Sequence, residues 1–147
     1  MSHEVETMAY AGAVPWHGLG FPVSDDLSPQ EMMKAAGCDW RVEKRPLQYN
    51  SPDGLQFVDN KEVLVRTSDY SVLDIVGPNW KPLQNEDAFA FFKEFVAKGD
   101  MQMHTAGSLQ DGKIIWCLAK VADTFEPIKG DAIESYILLV NPHVRGK

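Results

Sequence analysis

The chain has 147 residues, 44% of them hydrophobic and 24% charged, which suits one globular domain with a sizeable core. Its formal net charge of −7 works against a dedicated double-stranded DNA binder and against unspecific attraction to anionic membranes. The acidic start MSHEVETMAY lacks the apolar region of a signal peptide, and no apolar run is long enough to span a membrane. We therefore expect a cytoplasmic protein without membrane contact.

The first part of the chain predicts little regular structure. Residues 1–27 are rich in Gly, Pro and Asp and follow neither a helical nor a strand period. The sequence therefore predicts an irregular N-terminal arm over residues 1–27 and a single α+β domain over residues 28–147.

A short helix is predicted directly after this arm. Ser28 and Glu31 have the spacing of a capping box, Pro29 suits the first helical position, and Gly37 is a C-terminal stop. A helix this short needs tertiary packing to be stable. The side chains expected to pack it are Met32, Met33 and Ala36.

Alternating and apolar stretches separated by turn residues predict a mainly antiparallel sheet. Turns are expected at residues 51–54 and 59–61 and, from its Asp-Gly pair, at residues 110–113. Pro46 makes the first strand of the main set an edge strand or a bent one. The predicted strands are 39–49, 55–58, 62–67, 71–76, 101–108, 114–121 and 133–140. The last of these is nearly continuously apolar, which predicts a central position in the sheet.

The long helix of the chain is predicted from Asn85, as its N-cap, to a stop at Gly99. Its apolar residues fall on one face. They are Ala88, Phe89, Phe92, Phe95 and Val96. The predicted fold is therefore α+β, a mainly antiparallel sheet of about six to seven strands with one long and one short helix.

Histidines and cysteines provide little chemistry in this sequence. His3, His17, His104 and His143 lack the local spacing of a zinc site, although His17, His104 and Cys117 could still meet in space. We expect His104 and His143 at strand ends, partly exposed. Cys117 lies in an apolar strand, where burial raises a thiol pKa and makes it inert. We therefore expect no metal, no cofactor and no catalytic nucleophile.

A nuclease-like pattern is present at Asp53, Asp59 and Lys61. Paired carboxylates can hold Mg²⁺ while a lysine polarises the attacked phosphate. The pattern predicts that the two carboxylates converge within about 5 Å. The alternative is that both aspartates belong to turns, because Asp-Gly and Asp-Asn are common turn dipeptides.

The one dense basic cluster comprises Arg41, Lys44 and Arg45, with Trp40 and Tyr49 close by. Aromatic rings stack on bases and cations pair with phosphates, so this pattern is typical of a surface that binds single-stranded nucleic acid. The alternative is that basic residues protect an edge strand from aggregation.

The segment VPWHGLG contains Trp16, His17, Gly18 and Gly20. It matches neither a dinucleotide-binding nor a P-loop pattern. We expect a clasp in which the glycines adopt unusual backbone angles, Trp16 enters the core and His17 binds a main-chain carbonyl. A His17 that points into a polar cleft would indicate a functional site instead.

Four stretches resemble a phage- and plasmid-borne family of unknown function, domain of unknown function 932. They are MAYAGAVPWHGLG, IVGPNWKPLQNEDAFAFF, TAGSLQDGKIIWCLAK and ESYILLVNPH. Members of that family continue with further strands, so the resemblance implies that this chain is its N-terminal portion. A mobile-element setting implies a role in DNA metabolism in a bacterial host. The order of elements is also loosely similar to that of phage annealing proteins, which is a fold-level analogy.

Three hypotheses follow from these observations. The first is a non-enzymatic accessory protein of DNA metabolism that binds single-stranded DNA, with assembly into homo-oligomers left open. The second is a Mg²⁺-dependent nuclease that uses the two aspartates and the lysine named above. The third is a protein-interaction module that acts on a host or rival-element factor.

Overall fold

Sheets dominate the fold. The structure, a computed structural model, describes residues 5–11, 20–24, 26–122, 125–128 and 130–145, with side chains omitted at 21, 125–128 and 131–132. In chain order the elements are β1 (Val5–Ala11), β2 (Phe21–Val23), α1 (Pro29–Ala35), β3 (Val42–Ser51), β4 (Gly54–Arg66), β5 (Val72–Val76), α2 (Asn85–Ala90), α3 (Lys93–Ala97), β6 (Met101–Leu109), β7 (Ile114–Val121), β8 (Phe125–Ile128), β9 (Asp131–Ile133) and β10 (Tyr136–Pro142).

The predicted α+β class and the mainly antiparallel pairing are confirmed, but the strands form more than one sheet. A five-stranded sheet has the order β10-β7-β6-β1-β2, a three-stranded sheet the order β3-β4-β5, and β8 pairs with β9. Only the pairing of β1 with the very short β2 is parallel among the described strands. Within the described part of the chain, no helix is long and apolar enough to cross a membrane.

The prediction of an irregular arm over residues 1–27 is wrong for β1. This strand pairs with β6 on one side and β2 on the other, inside the five-stranded sheet. Its last four residues are buried. Burial on both sides removes the alternation of polar and apolar residues by which strands are recognised in a sequence.

The predicted long helix is also wrong, because it is broken into α2 and α3. The backbone N–H groups of Phe91 and Phe92 bond to carbonyls three residues earlier, which tightens the chain between the two helices. This turn places Phe92 fully in the core, while Phe95, predicted on the buried face, is exposed. Helix α1 matches its prediction, since the capping box of Ser28 and Glu31 is formed.

The predicted turn at residues 59–61 is replaced by a bulge inside β4. Asn60 has a φ of +62°, and the register against β3 shifts near Pro46 and Gln48. Between these pairs β4 has four residues, 58–61, where β3 has one, so this bulge absorbs three extra residues without reversing the chain. The hairpin of β3 and β4 therefore extends well beyond β5, which pairs only with residues 62–65 of β4.

One core joins the two larger sheets to the helices. The helices α1, α2 and α3 all contact strands of the five-stranded sheet. Side chains from every one of these layers lie in a single buried cluster. It includes Met32, Met33, Leu64, Val76, Phe89, Phe92, Met103 and Ile115.

A buried ion pair between Arg66 and Glu6 connects the sheets at their polar edge. Arg66 ends β4, and its Nη1 and Nη2 donate to the two carboxylate oxygens of Glu6 on β1 at 2.7 and 2.6 Å. Asp69 accepts two further bonds from Arg66, and the guanidinium lies 5.6 Å from the centre of the Trp40 ring. The hydrogen bonds from Arg66 hold the pKa of Glu6 below its usual value.

Loss of the Arg66 guanidinium should weaken the fold far more than loss of an exposed arginine. We expect Arg66→Met to lower the free energy of unfolding by about 3 kcal/mol, because Glu6 stays half-buried without its partner. Arg45→Met is the matched control, since Arg45 is exposed and 3.9 Å from Glu43, its only carboxylate contact among the described residues, and should cost less than about 0.5 kcal/mol. Urea titration measures both variants, and equal losses would contradict this role for Arg66.

Candidate functional site

The predicted basic cluster is neutralised by acidic neighbours. Arg41 and Arg45 lie on one face of the chain entering β3, and Lys44 lies on the other, because side chains alternate along a strand. Lys44 Nζ also donates to the carbonyls of Pro78 and Trp80. The ion pairs are Arg41 with Glu86, Lys44 with Glu62 at 3.3 Å and Arg45 with Glu43 at 3.9 Å. The structure thus provides no continuous basic stripe in this region.

The two aromatic residues of that cluster are not brought together. Trp40 is 8% exposed, and its indole N–H donates to the carbonyl of Gly37 at 3.1 Å. Its ring is therefore not available to stack on a base. Tyr49 is exposed, but it lies four residues beyond Arg45 along an extended strand, about 13 Å away. Single-stranded DNA binding stays a prediction, carried at most by Arg45 and Tyr49.

The predicted convergence of Asp53 and Asp59 is wrong. Asp53 lies in the turn between β3 and β4, whereas Asp59 lies within β4. The extended chain between them spans about 17 Å, too far for two carboxylates to share a metal ion. Among the residues that the structure describes, no three His, Cys, Asp or Glu side chains are placed to hold a metal.

The VPWHGLG loop lies largely outside the described residues, including Trp16, His17 and Gly18. Gly20 is described and has a φ of +82°, as expected for the loop glycines. A Cβ atom at this position would lie 2.9 Å from the carbonyl oxygen of Met8. Any other residue would therefore push β2 away from β1.

Cys117 is buried, as predicted, and Cys38 is buried too; both thiols are free. Desolvation raises the pKa of the Cys38 thiol to about 12, and it has the same effect on Cys117. Neither thiol is a nucleophile near neutral pH. His104 lies on β6 and is half-buried, with Nδ1 2.5 Å from the Thr105 hydroxyl.

A buried polar centre around Asn85 was missed by sequence reasoning. Asn85 is not the N-cap of α2, a position held by Gln84, but a fully buried residue of the helix itself. Its Nδ2 donates to the carbonyl of Cys38 at 3.0 Å, and its Oδ1 lies 2.7 Å from Nε2 of His143. Because Oδ1 can only accept, Nε2 of His143 carries the proton.

The prediction of a partly exposed His143 is therefore wrong. His143 is fully buried against the Trp40 ring, and its Nδ1 has no hydrogen-bond partner among the described residues. Burial lowers its pKa to about 4. Asn141 donates to the carbonyl of Leu83 at 2.9 Å, so the end of β10 is bound to the segment just ahead of α2. No local pattern could reveal a contact between residues so distant in sequence.

The outer surface of β10 is apolar and exposed. Tyr136, Leu138 and Val140 are 40%, 59% and 49% exposed, and they alternate with Ile137 and Leu139, which pack against the core. We call these three outward side chains the β10 face. Across the register Leu138 lies beside Leu118 of β7 and Val140 beside Trp116. Both neighbours are half-buried and extend the apolar surface.

The main-chain edge of β10 also lacks protection. The last apolar strand, predicted to lie centrally, is instead the outermost strand of the five-stranded sheet. β10 has seven residues without a charge and pairs with β7 without a bulge, and its one proline, Pro142, is its last residue. Edge strands of natural proteins are usually short, charged, bulged or interrupted by proline. The other described edges of the two larger sheets show these devices. They are β2 with three residues and Pro22, β3 with Lys44, Arg45 and Pro46, and β5 with Asp74.

A comparison with known proteins relates part of the chain to a family. Residues 72–144, about half of the chain, match the family described as Domain of unknown function (DUF932). No curated protein and no solved structure matches the chain. The matched segment contains Asn85, His143 and all of β10. Because the description of the family specifies no activity, the match does not assign a function to this chain, and the geometry of its surface is the remaining guide.

Binding of single-stranded DNA should be weak, because each cation of the predicted cluster is offset by a glutamate. We expect fluorescence anisotropy with a labelled oligonucleotide at low salt to give a dissociation constant no tighter than about 10 μM, the range of unspecific binding. Arg45→Ala should change this value by less than about twofold. Tighter, saturable binding that Arg45→Ala abolishes would contradict this expectation and support the nucleic-acid hypothesis.

The burial of His143 should make the fold sensitive to acid. In the unfolded chain its pKa returns to 6.5, so the unfolded state binds the proton more tightly than the folded state, in which the value is about 4. The contribution of His143 to the free energy of unfolding should therefore be at its maximum above about pH 6.5. This free energy should fall by up to about 3 kcal/mol towards pH 4. Urea titrations at a series of pH values measure this loss.

The control for this prediction is His143→Gln, whose amide can still donate to Asn85 but does not titrate. Carboxylates titrate in both proteins, so the difference between the two pH profiles isolates the imidazole. Superimposable profiles would show that His143 does not titrate on unfolding in the way that its burial demands.

Proposed function

We propose that this chain, whose residues 72–144 belong to the DUF932 family, is a protein-binding module that accepts an extended strand of another polypeptide at the edge of β10. One observation carries the proposal. The outermost strand of the main sheet is uncharged over seven residues and presents large apolar side chains to solvent. Such an edge is a template for pairing with a further strand.

The main chain supplies the affinity in this form of recognition. Every β10 residue from Tyr136 to Pro142 is in register with β7 on one side. An antiparallel ladder uses only part of the N–H and C=O groups of its outer strand, and the rest point away from the sheet. An incoming strand satisfies these groups without a change in the fold.

The β10 face supplies the selectivity. Tyr136, Leu138 and Val140 point to one side of the sheet, so they contact every second residue of the incoming strand. Together with Trp116 and Leu118 they favour a partner with apolar residues at alternate positions. Adjacent exposed apolar side chains of this kind are typical of interaction sites, whereas isolated ones are common on any surface.

The partner class follows from the third hypothesis above. The paired cations of the Arg41 region, the buried Trp40 and the separated carboxylates all support a binding role through protein contacts over nucleic-acid binding or nuclease chemistry.

A peptide that mimics an added strand tests the proposal. We expect a fluorescein-labelled peptide of alternating valine and threonine, with one lysine and one glutamate at its ends, to bind with a dissociation constant of about 10 to 100 μM. Leu138→Lys places a charge on the β10 face and should weaken binding at least about tenfold. Fluorescence polarisation measures both affinities.

The control variant is Leu55→Lys, since Leu55 is exposed to a similar degree but lies at the tip of the hairpin of β3 and β4. It should bind the peptide as tightly as the unaltered chain. Equal losses in the two variants, or no binding to the unaltered chain at any dilution, would overturn the proposal.

A further inference from the structure

We infer that the strand added to β10 is β10 of a second copy of this chain, so that two five-stranded sheets join across a two-fold axis. The inference rests on the proposed function, because it uses the same edge and the same outward side chains. Symmetric dimers bring one surface patch against itself, so the patch has to be self-complementary. The evidence lies in the charge, the register and the side chains of β10.

Charge favours this pairing. An uncharged strand can meet a copy of itself without placing like charges opposite one another, which would be destabilising. The charged edges of the three-stranded sheet cannot pair with copies of themselves in this way. A β3 pair would bring lysine and arginine close to their copies, and a β5 pair would bring Asp74 close to its copy. The short β2 carries Pro22, which lacks a backbone donor.

The flanks of β10 select an antiparallel arrangement. Glu134 precedes the strand and pairs with Lys120 at 2.8 Å, and Arg145 follows it and pairs with Asp74 at 3.3 Å; both Glu134 and Arg145 remain about half exposed and can extend these pairs across a joint. An antiparallel two-fold joint directs Glu134 of one copy towards Arg145 of the second copy. A parallel joint would instead bring Glu134 to Glu134 and Arg145 to Arg145. Only the antiparallel joint therefore brings the negative flank of one copy next to the positive flank of the second copy.

The register is restricted by the faces of the sheet. Outward residues have to lie opposite outward residues, because a slip by one position would turn the apolar set to the wrong side. Leu138 therefore lies opposite either Leu138 or Val140 of the second copy, because a register that places it opposite Tyr136 would put Glu134 opposite Val140, five residues away from Arg145. Directly opposite Cβ atoms in a sheet are about 4.5 to 5.5 Å apart. In the first register Leu138 would cover its own copy and Val140 would cover Tyr136, and in the second Leu138 and Val140 would cover each other.

Net charge predicts how this association depends on salt. Each copy has a formal charge of −7, so two copies repel at long range. Salt screens this repulsion and leaves the apolar contact intact. Dimerisation should therefore strengthen with ionic strength, whereas binding to a nucleic acid would weaken.

Analytical ultracentrifugation of the full chain tests the inference. Between about 1 and about 200 μM we expect a monomer–dimer equilibrium, the weak range of a small interface, that shifts to dimer when salt is raised. Leu138→Lys should remain monomeric over this range, and Leu55→Lys should dimerise like the unaltered chain. Circular dichroism checks that each variant is folded, which we expect because both side chains point to solvent.

A disulfide trap tests the register. A mixture of Leu138→Cys and Val140→Cys proteins should form covalent dimers under mild oxidation, either within or between the two variants, because opposite Cα atoms lie within reach of a disulfide. The two native thiols are buried and do not compete. Leu55→Cys should stay monomeric under the same conditions.

The outcomes separate this inference from the proposed function. If the unaltered chain is monomeric at every concentration but binds the strand peptide through Leu138, the second copy is excluded and the proposed function stands. If the unaltered chain neither dimerises nor binds the peptide, both this inference and the proposed function are wrong. A dimer that Leu55→Lys disrupts and Leu138→Lys leaves intact would place the contact on the hairpin and overturn the inference.

Discussion

The bidentate contact of Arg66 with Glu6 is the constraint on which the arrangement of the two main sheets depends. Arg66 reaches from the end of β4 to β1, and its Nε and Nη2 also bind Asp69. Its guanidinium lies over the Trp40 ring and beside the turn between β6 and β7, where a Cβ at Gly112 would lie 2.7 Å from Nη1. One buried cation thus sets the distance between sheets whose strands share no hydrogen-bond ladder.

The polar centre of Asn85 and His143 fixes the position of the helices relative to the end of β10. Asn85 binds the chain ahead of β3 through the carbonyl of Cys38, and it binds the chain after β10 through His143. The inner side of β10 is therefore held against the core, and Ile137 and Leu139 are packed there. The outer side chains of β10 are exposed to solvent instead. This asymmetry makes β10 a rigid, preformed edge, and binding to it requires little ordering.

Local sequence patterns predicted the elements whose signals are local. The capping box of Ser28 was found because its partners are three residues apart, and the burial of Cys117 followed from its apolar neighbours. Local patterns gave wrong predictions where contacts between distant residues determine the structure. β1 looked irregular because its pairing partners lie elsewhere in the chain. The helix after Gln84 is broken at Phe91 and Phe92, so that Phe92 is buried as predicted but Phe95 is exposed. The candidate site was missed for the same reason, since an edge exists only in a folded sheet.

The amino-acid sequence by itself determined the α+β class, the short capped helix, the inert cysteines and the uncharged apolar run that becomes β10. These depend on composition and on contacts between near neighbours. Only the tertiary structure decided that the Arg41 cluster is neutralised, that Asp53 and Asp59 are apart and that His143 is buried. It alone placed β10 outermost, because the order of strands in a sheet is set by the packing of distant segments on a common core.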